Sequence, residues 1–209
     1  LPNSRIVIHQ PLMQGLADGY FILPYTIGDY LASFLRQDRV DAGHPAFRQA
    51  EAEVTERIQR LLGARGRRTV DEFHHRLGAI CWEYCGMSRS EAGLAKAIGL
   101  IGELREEYWR DVAVPGRDAD FNQSLERAGR VADFFELGEL MCRDALERRE
   151  SCGGHFRVES QTPEGEALRD DERFCHVSAW EFRGPDRAPL QHREPLEFER
   201  VEMTQRSYV

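Results

Sequence analysis

Apolar positions recur with a helical period over most of the chain, and the period is lost near its end. Residues 12–35 are apolar on more than one side, the pattern of a helix buried inside a larger body. Pro24 interrupts it and predicts a kink or a second piece. His44-Pro45 opens a more polar helix that runs to Leu62 and stops at Gly63. Thr69-x-x-Glu72 has the form of a capping box. The Thr side chain can accept from an amide of the first turn while the Glu reaches back. The stripe behind it is Val70, Phe73, Leu77, Ile80, Cys81 and Tyr84, closed by Gly86.

Ser88-x-x-Glu91 has the same form and opens a helix with one apolar face, Leu94, Ala97, Ile98, Ile101, Leu104 and Tyr108. That helix ends before Pro115-Gly116. The next one starts near Asn122 and runs to about Arg149. It carries Leu125, Ala128, Ala132 and Phe135 on one face and Phe134, Leu137 and Met141 on another, so it expects neighbours on two sides. After Gly153-Gly154 the runs shorten: 155–160, 174–183 and 196–206, split by Pro and Gly pairs, predict strands or extended chain. A slip of alternation between Phe198 and Val201 fits a bulge. These runs are too poor in apolar residues to fold alone and are expected to wrap over the helices or over another subunit. The fold class is therefore mainly α: an antiparallel bundle of three to four helices with a C-terminal extended, short-β region.

Charge narrows the partners. The 209 residues carry a formal net charge of -8, which argues against nucleic acid, where clustered Lys and Arg are needed. The one basic cluster, Arg65, Arg67 and Arg68, reads as a solvated loop at a helix end. No uninterrupted apolar run reaches transmembrane length, and no signal-peptide pattern opens the chain. The five cysteines, an odd count, suit reduced thiols in a cytoplasmic protein.

Motifs for common catalytic chemistry are missing: there is no GxGxxG, no GxxxxGK[ST], no GxSxG and no HExxH. His74, Cys81 and Cys85 share a helix face and could contribute to a zinc site, but the same face carries Leu77 and core packing is the expectation. Arg169-Asp170-Asp171-Glu172 reads as a polar, ion-paired turn rather than an acid–base pair. In Arg149-Glu150-Ser151-Cys152-Gly153-Gly154-His155-Phe156-Arg157 a helix end runs into a glycine turn. His155 is expected to be hydrogen-bonded at a helix-to-strand corner, with catalysis the sharper alternative. Cys152 is accessible enough to be weighed as a reactive thiol. No catalytic or metal-ligating residue is assigned.

The segments LMQGLADGYFILPYTIGDYLA, LGAICWEYCGMSRSEAGL, LREEYWRDV and NQSLERAGRVADFFELGELMCRDALERRESCGGHFR, with RDDE and the closing TQRSY, follow one another in an informative order. In that order the chain resembles the C-terminal third of the flavoprotein subunit of succinate dehydrogenase and fumarate reductase. Aspartate oxidases share the helical layout, but the GELMCRDAL stretch is not expected of them.

The resemblance implies the following organisation: 1–11 unmatched, 12–36 a helix from the end of the FAD-binding domain, 37–154 a C-terminal helical bundle, 155–209 an extended tail. It implies an oxidoreductase that interconverts succinate and fumarate with FAD. Electrons would pass through an iron–sulfur subunit to quinone, on the cytoplasmic face of a membrane reached indirectly through an anchor. The glycine-rich FAD loop, the flavin-linking histidine and the proton-shuttling arginine of the family lie before the matched region. Leu12 matches a leucine that touches the flavin, the single cofactor contact implied here. Just ahead of it the family carries Asn-Arg-Leu-Gly. The arginine would fall at Ile6, and Arg5 is out of register, so 1–11 read as a foreign or frame-shifted start. The chain alone is expected to hold no FAD and to serve as a packing and docking domain. The alternative, from another class, is a free-standing helical interaction module.

Overall fold

The computed structural model describes residues 13, 15–37, 40–117, 121–184, 187–200 and 202–204. It divides into two compact units, Leu1–Arg60 and Leu61–Val209. Residues 1–11, Leu12 and 205–209 of the closing segment lie outside the described residues.

In the first unit the apolar stretch is helical, as its period predicts. Its hydrogen-bond step is not uniform, however. Asp18–Ile22 and Thr26–Tyr30 are π-helical turns on either side of the α turn Leu23–Tyr25. The backbone stays right-handed helical throughout, so Pro24 does not end the helix. It sits near the start of the short α turn, where its missing N–H costs least. None of these turns buries a residue, and Tyr20, Phe21, Tyr25 and Ile27 are more than half exposed. A polar helix, α1 (Pro45–Gly63), follows with the expected bounds. His44 Nδ1 accepts from the Ala46 amide (3.2 Å) at its start.

The second unit is built on α2 (Val70–Cys85), α3 (Glu91–Asp111) and α4 (Gln123–Glu147). Their direction is set by two short parallel pairings. The pair β1 (Arg68–Thr69) with β3 (Val112–Ala113) ties the start of α2 to the end of α3. The pair β2 (Ser88–Arg89) with β4 (Phe156–Arg157) ties the α2–α3 turn to the chain leaving α4. The helices therefore run up, down and up, with α2 and α4 parallel.

Their shared core is Phe73, Leu77, Leu94, Ala97, Ile101, Leu104, Tyr108, Val131, Ala132 and Phe135, joined by Leu61 from the last turn of α1. Each large member contributes about 1.5–3 kcal/mol by leaving water. Tyr108 sits at the centre, edge-on to Phe73 with centroids 5.1 Å apart. Its hydroxyl donates to the Ala128 carbonyl at 2.7 Å, so the buried polar tip is satisfied.

The caps follow chemistry already visible in the chain, with one shift. Thr69 Oγ1 accepts from the Glu72 amide (3.2 Å), and Asn122 Oδ1 accepts from the Leu125 amide (3.0 Å). The second box is not used as predicted. Ser88 enters the pairing with Phe156, and Ser90 caps α3 by accepting from the Gly93 amide (3.1 Å).

Gly66 is required by close approach. A Cβ there would lie 1.9 Å from the carbonyl carbon of Asp111, where the loop before α2 crosses the end of α3. The basic loop is solvated as expected on its Arg67 side. Arg68 is drawn into ion pairs with Glu72, Glu107 and Asp111.

The tail carries α5 (Asp171–Phe174) and an antiparallel hairpin of β5 (His176–Glu181) and β6 (Leu190–Pro195). Two strand expectations hold in shortened form, β4 within 155–160 and β5 within 174–183. In the third run, 196–206, the described residues form no strand, and Val201, at the far side of the expected slip, lies outside them; the strand that pairs with β5 is Leu190–Pro195. Trp180 Nε1 donates to Asp144 Oδ1 (2.7 Å) and fastens the hairpin to α4. The second face of α4 is left largely open, touched at Phe134 by His74 of α2: Phe134, Leu137 and Met141 are 39%, 54% and 48% exposed.

Candidate functional site

A dense polar cluster lies where α4 ends. Its last carbonyls lack intrahelical donors, and Arg157 supplies them. The Arg157 guanidinium is buried, and its Nη1 donates to the carbonyls of Ala145 (2.9 Å) and Leu146 (3.3 Å). Its Nε donates to Glu159 Oε2 (3.1 Å). A cation at a helix C-terminus is also favoured by the dipole. Ser151 closes the turn, its Oγ accepting from the Arg157 amide at 2.8 Å. Glu150, 3% exposed, accepts from Arg148 Nη1 (2.7 Å) and the Asp170 amide (3.0 Å). Arg148 reaches on to the carbonyls of Phe174 and His176.

His155 is half-buried in this corner. Its Nε2 lies 2.8 Å from the Arg148 carbonyl and its Nδ1 2.8 Å from Arg89 Nη1. A neutral ring with the proton on Nε2 satisfies both, donating to the carbonyl and accepting from the guanidinium. Burial pushes its pKa below 6.5. The nearby charges of Arg89, Arg157 and Arg148 act in the same direction, against the pull of the carbonyl. Both ring nitrogens are committed, so the histidine locks a corner and has no free nitrogen for acid–base work.

The other candidates are placed as follows. Cys152 is exposed as a residue, yet its surroundings desolvate the thiol, and with the Glu150 charge they raise its pKa above 9.0. The Arg169–Glu172 run is a polar turn: Asp170 caps α5, and Arg169 Nε donates to Asp171 Oδ1 (2.8 Å). Cys85 is buried in the core and Cys81 packs against it, while His74 is exposed, its ring tilted against Phe134 (centroids 5.5 Å). The structure therefore does not bring His74 together with the two cysteines. Among the described residues, no three His, Cys, Asp or Glu side chains are grouped to hold a metal. Leu12 lies outside the described residues.

A cleft of about 560 Å³ opens between α4 and the hairpin, lined by Leu137, Leu140, Trp180 and Phe182 among others. Arg105 and Arg143 face it, but both are held by Glu139, at 2.9 and 2.7 Å. Asp133 and Glu136 add two more carboxylates to its wall. The residues sequence reasoning missed are Arg157 and Glu150. The signal available was the density of charge immediately around Gly153-Gly154.

A helical bundle with a hydrogen-bonded C-terminal corner defines the class of domain. Comparison with known proteins says which. Residues 74–208 match the family model described as "Fumarate reductase flavoprotein C-term". The chain belongs to that family. It is 27% identical over 178 residues to the fumarate reductase flavoprotein subunit of Haemophilus influenzae, covering 85% of this chain and 27% of the relative. Over 146 residues it is 30% identical to the Escherichia coli subunit, covering 69% of this chain and 23% of the relative.

Among solved structures, a mutant of E. coli quinol fumarate reductase superposes with a TM-score of 0.67 at 23% identity, over 82% of this chain and 28% of the other. An Mycobacterium smegmatis Sdh1 complex in the apo form gives 0.61 at 22%, over 84% and 27%. At these identities the superpositions establish the fold. The chain spans about a quarter of the length of the curated relatives it matches.

Flavoprotein relatives imply FAD, so the fit of the residues present matters. A flavin dinucleotide needs donors gathered around its diphosphate. The cleft offers the carboxylates of Asp133, Glu136 and Glu139, two arginines already paired to Glu139, and a lone further arginine, Arg187, in its lining, which is no gathered set of donors. The described residues do not fit the cofactor. Among them, no helix is long and apolar enough to cross a membrane.

Proposed function

We propose that this chain is the C-terminal helical domain of a flavoprotein subunit that interconverts succinate and fumarate with FAD. In the complete subunit, electrons would leave through an iron–sulfur subunit to quinone, beside a membrane reached only through partner subunits on its cytoplasmic face. Residues 12–36 would belong to the end of the FAD-binding domain, with Leu12 against the flavin. Residues 37–154 would form the helical domain and 155–209 its tail. The chain by itself would be inactive and would hold no FAD, its part being to pack against the remainder of the subunit and to offer a docking face.

The observation that carries this reading is the exposed apolar helix ahead of a well-packed bundle. Tyr20, Phe21, Ile22, Leu23, Tyr25, Ile27 and Tyr30 are each more than half exposed, a load that single-domain proteins rarely leave uncovered. The same residues weigh against a free-standing interaction module. The test is to purify the chain, record its visible absorption and assay succinate oxidation and fumarate reduction with artificial electron carriers. A colourless, inactive protein that associates through its 15–35 segment is expected. Retained flavin absorption or turnover would overturn the proposal.

A further inference from the structure

The parallel helices α2 and α4 meet through small residues. A Cβ on Gly138 would lie 3.4 Å from Cys81 Sγ and 3.6 Å from a Leu77 methyl. One turn further along each helix, Cys85 follows Cys81 and Cys142 follows Gly138, both at i+4. The register that seats Cys81 on Gly138 therefore sets Cys85 against Cys142. Both thiols belong to the one core cluster, 7% and 0% exposed. Cys85 is also the last residue of α2, and helix ends open more readily than helix interiors.

A cation stands beside the pair. Arg89 is held in place by the Gly86 carbonyl (Nε, 2.8 Å) and by His155 Nδ1 (Nη1, 2.8 Å). We propose that Cys85 and Cys142 form a dithiol site that hydroperoxides oxidise to a disulfide, joining the first and third helices of the bundle.

The surroundings select which sulfur reacts first. The Cys142 thiol directed at Cys85 stabilises a thiolate there. Desolvation opposes this and the Arg89 charge adds to it, so that Cys85 is pulled down to about 6 while Cys142 is held well up by the same contact. Cys81, the neighbouring thiol, is pushed up by burial and then by Cys85, and its Sγ lies over Gly138. The Cys85 thiolate attacks one oxygen of the hydroperoxide. The O–O bond breaks, giving a sulfenic acid at Cys85 and hydroxide or alkoxide. Cys142 then gives up its proton and attacks the sulfenic sulfur, the S–O bond breaks and water leaves. Two electrons pass from the two sulfurs to the peroxide.

The test uses the full chain, reduced, then treated with limiting hydrogen peroxide under native conditions. Free thiols are alkylated and the unreduced peptides mapped by mass spectrometry. A reducible cross-link between the Cys85 and Cys142 peptides is expected. In Cys142→Ala, a dimedone adduct at Cys85 is expected, since the sulfenic acid has no partner. Recovery of Cys85 and Cys142 as alkylated thiols while Cys152 is oxidised would overturn the proposal. So would a cross-link from Cys142 to any other cysteine. The wild-type map decides the question even if the variant folds poorly.

Discussion

Replacing Arg157 with methionine keeps an apolar stem of similar length in the corner and removes the guanidinium that caps α4. The Ala145 and Leu146 carbonyls lose their donor where Ala145 is buried, and Glu159, being exposed, can re-solvate. A hydrogen bond from a charged donor contributes about 1.5–3 kcal/mol. The bond to Leu146 is long at 3.3 Å and counts at the lower end. Relief from burying a cation offsets part of the loss, so the net cost is about 3 kcal/mol. For a chain of this size that corresponds to a Tm lower by roughly 6–12 °C.

The assay is urea and thermal unfolding followed by tryptophan fluorescence. Trp109 and Trp180 report the second unit, while Trp82, 85% exposed, changes little on unfolding. Arg157→Lys should fall between wild type and Met, because a point charge replaces the fork. A loss below about 1 kcal/mol for Arg157→Met would refute the view that this buried arginine holds the helix end.

Gly66→Ala should destabilise the second unit by about 2–3 kcal/mol, because the new methyl meets the Asp111 backbone, not a movable side chain. Gly99→Ala, at an exposed α3 position with nothing within 4 Å, should instead stabilise by up to about 1 kcal/mol; equal urea midpoints for the two variants would contradict the packing described. Stability should fall on acidification. The folded pKa of His155 lies below its usual 6.5, so its contribution is complete above 6.5 and is lost as pH falls through the folded value. Glu107 is held below 4.5, first by its hydrogen bond from Arg76, and its contribution is lost below that range. Urea midpoints that stay flat or rise between pH 8 and pH 5 would contradict the sign for His155, and midpoints that stay flat or rise below pH 4.5 would contradict that for Glu107.

The helices and most of their caps could be read from local chemistry, because Thr69, Asn122 and the 3.6-residue stripes act within a few positions. What could not be read was set by partners distant in sequence. Ser88 has the form of a cap, yet pairing with Phe156 claims it and moves the cap to Ser90. β6 shows no alternation and ends in Pro195, so nothing local marks it as the partner of His176–Glu181. Arg157 and Glu150 are of types that default to the surface, and only the fold around Gly153 shows why they are inside. Phe134, Leu137 and Met141 called for a second neighbour, and within this unit they remain exposed.

The central claim, that this chain is one domain of a longer flavoprotein subunit, is tested most directly by reading the genomic DNA upstream of the codon for Leu12 in all frames. The account predicts an open frame encoding Asn-Arg-Leu-Gly just before it and a GxGxxG segment farther up. A promoter and start codon at that boundary, with no flavin-binding frame behind them, would contradict it and favour a free-standing helical module.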